Sequence, residues 1–126
     1  MNMRTPLSQV RGLGSAKDGT DHFWRQRLTG VANIPLTIFF VFLVVSMIGA
    51  GHEQAAAMIA SPLVAIILLM MIVSGLYHMR LGMQAIIEDY VHGEGMKIVL
   101  VMANTFFTVA IGAACIFAVL KISFGG

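Results

Sequence analysis

The sequence predicts an all-α membrane protein built on three transmembrane helices, and three observations predict it. Hydrophobic residues make up 58% of the 126-residue chain and charged ones only 11%, where a soluble domain carries roughly 45–50% and about 25%. The few charges are grouped, so that three long stretches between them hold none. Each stretch reaches the roughly 20 apolar residues that a helix needs to cross a bilayer core of about 30 Å.

So small a globule cannot hide this much apolar surface from water, which excludes an ordinary soluble enzyme. The same hydrophobicity excludes a disordered chain. A single cysteine, Cys115, excludes an internal disulfide scaffold, and a net charge of +2 leaves no broad basic face for nucleic acid.

Residues 1–27 read as a polar arm, with GLGSAKDG (Gly12–Gly19) as a loop and Phe23 and Trp24 as interfacial anchors. The first span follows at about 28–50, the second at about 58–83 and the third at about 98–120. Gly51–Ala57 reads as a short loop between the first two. Pro35 and Pro62 fall in the first turns or early halves of their spans, where a missing N–H costs little. No signal peptide is expected, because the first apolar run starts only at Leu28, is too long and lacks a small-residue cleavage site. The ten methionines are scattered and read as packing filler.

Lysine and arginine set the expected orientation. Arg4, Arg11, Lys17, Arg25 and Arg27 lie in the arm, Arg80 and Lys97 flank the second connection, and Lys121 stands alone near the C-terminus. The arm and the second connection are therefore expected on the cytoplasmic side.

The segment from Ser74 to His92 carries more than an inert anchor needs, and ionisable groups at membrane depth mark function by default. At 100° per residue, Ser74, Gly75, His78 and Gly82 share one stripe of a helix. A histidine between residues with almost no side chain sits in a shallow trough. A flat macrocycle fits such a trough, with the imidazole reaching its iron. The same small residues equally suit close packing of two helices, with the histidine hydrogen-bonded across the contact. If two histidines hold a haem, the second must come from another chain, because His22, His52 and His92 all lie outside the spans and read as solvent or headgroup residues.

Asp89 stands eleven residues beyond His78, which returns to nearly the same bearing about 16 Å further along. Tyr90 follows it. A phenol can donate to a carbonyl oxygen and a carboxylate can pass protons, which suits a redox substrate that takes up both electrons and protons. The alternative is a helix end emerging into water, with Tyr90 in the aromatic belt. Arg80 points about 200° from His78 and either snorkels or pairs with an acidic group such as Glu88. The helix is expected to run on past the hydrocarbon to about Tyr90. Arg27 borders the membrane and can hold a lipid phosphate, a haem propionate or a quinone oxygen, with Thr29 just inside it.

The run HMRLGMQAIIEDY (His78–Tyr90) resembles the H-x-x-x-G-x-x-x-x-x-x-D-Y signature of the small hydrophobic membrane anchor subunits of succinate dehydrogenase. GLGSAKDGTDHFWRQRLTGVANIPL (Gly12–Leu36) is similar to the N-terminal part of their alphaproteobacterial members, and the three-span layout matches as well. The resemblance implies a helical bundle formed with a sister cytochrome b anchor subunit, beneath an iron–sulfur subunit and a flavoprotein subunit. Electrons from succinate would pass through FAD and iron–sulfur clusters to ubiquinone at the cytoplasmic face of the bacterial inner membrane. It implies His78 as an axial ligand of a shared haem b, packed by Ser74, Gly75 and Gly82. Tyr90, Asp89 and Arg27 would serve the quinone, with Trp24 and Thr29 as weaker candidates. Arg80 and Glu88 lie outside the signature. Three alternatives remain beside this one: an anchor of a fumarate reductase running the other way, a small transport subunit with His78, Arg80 and Asp89 on a proton path, and a purely structural assembly subunit without a cofactor.

Overall fold

Pro62 decides where the middle helix begins. A residue before proline is pushed out of the helical region, and Ser61 takes φ −57° and ψ 128°. The computed structural model describes residues 5–11 and 17–125, and it divides the expected loop and second span at this point. Helix α1 (Pro6–Val10) is short, and α2 (Lys17–Ser46) is the first long helix. Helix α3 (His52–Ala60) precedes α4 (Pro62–Tyr90), and α5 (Glu94–Ser123) closes the fold.

Three of these helices, α2, α4 and α5, are long and apolar enough to cross a membrane, as the sequence predicts. Their limits differ from the expected spans in ways that have local causes. Lys17–Gly19, read as loop, already belongs to α2, because nothing between Thr20 and Leu28 breaks a helix. Residues 12–16 of that expected loop lie outside the described residues. Since α2 starts ten residues before Arg27, Pro35 falls inside the helix rather than near its start, where its ring leaves one backbone carbonyl without an intrahelical donor. Gly51–Ala57 is not a loop either. From His52 onward the run HEQAAAMIA is helical, rich in alanine and with Glu53 in the first turn, where it complements the helix dipole. Met58–Ala60 therefore belongs to α3, and α4 starts with Pro62 at its first turn. The turn out of α2 uses Gly49 at φ +81°, a left-handed conformation that glycine adopts without penalty.

Helix α4 is the middle of the molecule. It packs against α2 on one side and α5 on the other, while α3 lies across α4 and α5, and α2 and α5 do not touch. The three long helices thus form a layer with two broad faces. The start of α2, the end of α4 and the start of α5 share one end of that layer. A small apolar cluster of Leu43, Ala65, Leu68 and Val119, backed by Phe39 and Ile59, holds the other end together. Among the described residues no large side chain is fully buried. A layer this thin leaves most of its leucines, valines and phenylalanines on the outside, as expected for helices that face lipid or another subunit.

Candidate functional site

At the end opposite the apolar cluster, the contact between α2 and α4 is polar. His78 on α4 points its imidazole at α2, where Nδ1 lies 3.1 Å from the Gln26 carbonyl oxygen and 3.0 Å from Thr29 Oγ1. The Thr29 hydroxyl donates its own hydrogen to the Arg25 carbonyl at 2.8 Å. A carbonyl can only accept, so the Gln26 contact fixes the ring proton on Nδ1, and Nε2 is left as the unprotonated nitrogen. Nε2 has no hydrogen-bond partner among the described residues and is not among the enclosed polar atoms, so its lone pair opens to the surface. An imidazole tethered through Nδ1–H to a backbone carbonyl, with Nε2 free, is the arrangement in which histidine ligates a metal. The residues present therefore fit an axial haem ligand.

Gly30 makes this approach possible: a Cβ there would stand 3.3 Å from His78 Cε1. One turn further into the layer, the Ser74 hydroxyl donates to Asn33 Oδ1 at 2.8 Å. One turn in the other direction, Gly82 admits Gln26, whose Nε2 would lie 3.3 Å from an added Cβ. Ser74 and Gly82 are thus taken up by the α2–α4 contact, the close-packing use of small residues. Only Gly75, with nothing within 4 Å of a Cβ, leaves the open surface that a macrocycle could lie on.

The opposite flank of α4 is stitched to α5. Arg80 Nε donates to Thr105 Oγ1 at 3.2 Å, and Asn104 Nδ2 donates to the Arg80 carbonyl at 3.0 Å. The bearing of Arg80, far around the helix from His78, is as expected, but its partner is a threonine and not Glu88. Glu88 instead accepts from Gln84 Nε2 at 2.8 Å. Thr29, Asn33, Asn104, Thr105 and Thr108 all take part in hydrogen bonds within or between helices. Among the described residues no row of free polar side chains is left for a proton path through the layer.

Depth follows from counting. About 20 residues cross the hydrocarbon; taken forward from Pro62 they end near Leu81, and taken back from Ser46 they end at Arg27. His78 is thus within about a turn of the membrane boundary. Tyr90, twelve residues on, stands about 18 Å further out, and the helix does run to it. Asp89 and Tyr90 are exposed, Tyr90 at 77%, and neither side chain has a partner among the described residues. Arg27 is exposed, with its guanidinium 4.1 Å from the centre of the Phe23 ring. Trp24, 64% exposed, meets Phe23 edge-on. No ion pair joins Arg27 to Asp89 among the described residues.

Sequence reasoning missed two residues here. His22 is half-buried rather than a solvent residue, and its Nε2 is enclosed without a hydrogen-bond partner among the described residues, as is Gln26 Oε1. Both line a 330 Å³ cleft with Arg27 and Ala85. The i, i+4 spacing of His22 and Gln26 was the available signal, since it sets both on one face of α2.

Comparison with known proteins agrees with this architecture. The family described as succinate dehydrogenase/fumarate reductase transmembrane subunit matches residues 1–112. The chain is 32% identical to the succinate dehydrogenase hydrophobic membrane anchor subunit of Paracoccus denitrificans, over 99% of this chain and 96% of the relative. It is 27% identical to the subunit of the same description from Rickettsia bellii, over 94% of each. To the succinate dehydrogenase membrane anchor subunit of Reclinomonas americana it is 34% identical, over 66% of this chain and 72% of the relative. No solved structure matches the chain significantly. Three membrane-length helices, a tethered histidine near the boundary and relatives aligned along nearly the whole length lead to one conclusion: the chain belongs to the family of succinate dehydrogenase and fumarate reductase transmembrane subunits, as a membrane anchor of the succinate dehydrogenase type.

Proposed function

We propose that this membrane anchor of succinate dehydrogenase binds haem b through His78 Nε2, together with a histidine of a sister cytochrome b anchor subunit, and contributes Tyr90, Asp89 and Arg27 to the site where ubiquinone is reduced. The observation that carries the reading is the tether of His78 Nδ1 to Gln26 and Thr29, which leaves Nε2 free. When bound, such a haem would supply a one-electron relay. The open surface at Gly75 gives it room.

Ubiquinone needs two electrons and two protons to become the quinol. The electrons come from succinate through FAD and iron–sulfur clusters in the flavoprotein and iron–sulfur subunits, and this chain has no fingerprint for either group. Its own residues act on the quinone and the protons. The Tyr90 hydroxyl donates to a quinone carbonyl, which draws electron density toward that oxygen as charge develops. The Asp89 carboxylate orients a water or passes a proton beside it. Arg27, on the facing helix, offers a guanidinium to a propionate or a quinone oxygen. The exposure of Tyr90 and Asp89 supports this reading, since a quinone site shared with other subunits is built from side chains that a single chain leaves open. Five cationic residues in the arm favour a cytoplasmic N-terminus in the bacterial inner membrane.

The test is a dithionite-reduced minus oxidised optical spectrum of the purified complex, wild type beside His78→Ala. A b-type band lost or shifted in the variant is the expected result. An identical spectrum in the variant would remove His78 from the haem.

A further inference from the structure

Two grooves and a polar pocket meet at Tyr77. The first groove, 540 Å³, runs between α2 and α4. The second, 630 Å³, runs between α4 and α5. Tyr77 and Val73 line both grooves, and so form a ridge between them. The polar pocket, 280 Å³, shares Tyr77 and Arg80 with the second groove and adds Arg25, Gln84, His22 and Asp21. We infer that this is the binding site of one diacyl phospholipid with an anionic headgroup, its phosphate held by Arg25 and Arg80 and one acyl chain lying in each groove.

Charge argues for the headgroup. Arg25 Nη1 donates to the Tyr77 hydroxyl at 3.2 Å, and Arg80 Nε donates to Thr105. No carboxylate pairs with either guanidinium among the described residues. Asp21 is the one acidic residue lining the pocket, against two arginines. The remaining guanidinium donors suit phosphate oxygens, for which arginine is the favoured partner.

Depth and length argue for the chains. Arg25 lies just outside the membrane boundary on α2 and Tyr77 about a turn inside it on α4, so their long side chains meet at the boundary. From Tyr77 to Leu69 the first groove descends eight residues, and from Arg80 to Ile72 the second descends eight. Eight residues of helix are about 12 Å, close to the roughly 15 Å that half of the hydrocarbon core provides. Headgroup and chains thus match one leaflet. The walls are largely apolar, and Ala113 presents only a methyl group to the second groove on the α5 side.

A sister subunit is the other occupant to consider. Gly75, where the haem is proposed to lie, is two residues from both Val73 and Tyr77, and so about 200° from each around α4. The choice of lipid over a protein partner rests on that reading, since it sends the sister subunit to the opposite face of the layer.

The experiment measures phospholipid retained by the purified complex after a detergent wash and re-addition of either phosphatidylglycerol or phosphatidylcholine. The wild type is compared with Arg25→Gln/Arg80→Gln and with Ala113→Phe, which fills the second groove and leaves both arginines intact. The wild type should retain phosphatidylglycerol in preference. The double variant should retain about tenfold less of it or lower still, and Ala113→Phe should also lose it, all with an unchanged haem spectrum. Equal retention of both lipids by the wild type, or full retention by the double variant, would overturn the site. Loss of the sister subunit from the double variant would make this face a protein interface and overturn it too. Absence of a haem band in every sample, with selective lipid retention intact, would count against the haem reading alone.

Discussion

Thr29 Oγ1 stands 3.0 Å from His78 Nδ1, across the contact between α2 and α4. Because the threonine also donates to the Arg25 carbonyl, its oxygen is oriented to accept from the ring, and the imidazole is gripped from the side away from Nε2. Thr29→Val keeps the shape of the side chain and removes this acceptor. The Gln26 carbonyl remains, so the ring should stay in place but be held less firmly. The expected outcome is an assembled complex with haem retention weakened about tenfold or more and a shifted haem midpoint potential. Haem content per complex and a redox titration check it. Wild-type values for both would leave Thr29 as a packing residue.

In the proposed quinone site, Tyr90 is the residue whose change should separate quinone chemistry from the rest of the complex. Tyr90→Phe keeps the ring and deletes the hydroxyl, so ubiquinone reduction should fall about tenfold, the worth of one hydrogen bond of about 1.4 kcal/mol. Dye-linked oxidation of succinate, which needs only the partner subunits, should persist. Steady-state assays with the two acceptors on the same preparation make the comparison. An unchanged rate with ubiquinone would remove the hydroxyl from the quinone site.

Three membrane helices were legible because charge is so scarce that its gaps draw them. Helix α3 was not, because its length and its His52 and Glu53 look like a connection, and only the break at Ser61–Pro62 gives it an identity of its own. The stripe of Ser74, His78 and Gly82 was legible from period alone. What it faces was not: periodicity says which residues share a face, and never which helix arrives there. For that reason the contacts that Gln26 and Asn33 make with the stripe were not legible, although both hold it. The bearing of Arg80 could be counted from His78, yet its partner Thr105 depends on the register of α5. Asp89 and Tyr90 stood out by their spacing from His78 and owe the quinone assignment to resemblance, and geometry within this one chain leaves them open to solvent.

Gly30 tests how tightly the two helices must meet. A Cβ there would lie 3.3 Å from His78 Cε1, so the ring must yield by a few tenths of an ångström. Alanine also favours the helix by roughly 0.5–1 kcal/mol over glycine, so Gly30→Ala should leave assembly and thermal stability close to wild type while the haem spectrum changes. Gly30→Leu, with no room for its side chain, should lose haem altogether. Optical spectra beside thermal melts of the same complexes separate the two effects. A haem spectrum unaffected by Gly30→Leu would mean that the ring does not face α2 as described.

The hydrogen bond from Ser74 to Asn33 lies deeper in the layer than the histidine. In hydrocarbon an unpartnered amide is expensive, and a polar pair between membrane helices contributes about 0.6 kcal/mol on average and up to roughly 1.7. Ser74→Ala should therefore destabilise the α2–α4 contact by about 1 kcal/mol, and Asn33→Leu by a similar amount. The double variant removes both polar groups at once and leaves nothing unsatisfied, so it should be less destabilised than the sum of the two. Ser74 also lies 3.5 Å from the Thr29 carbonyl, but neither change removes the Gln26 carbonyl or the Thr29 hydroxyl that hold the ring, so haem content per assembled complex should hold. Denaturation of the complex in mixed detergent, followed by subunit dissociation, measures the cycle. Strict additivity would show that the two side chains do not share a bond in the assembled membrane domain.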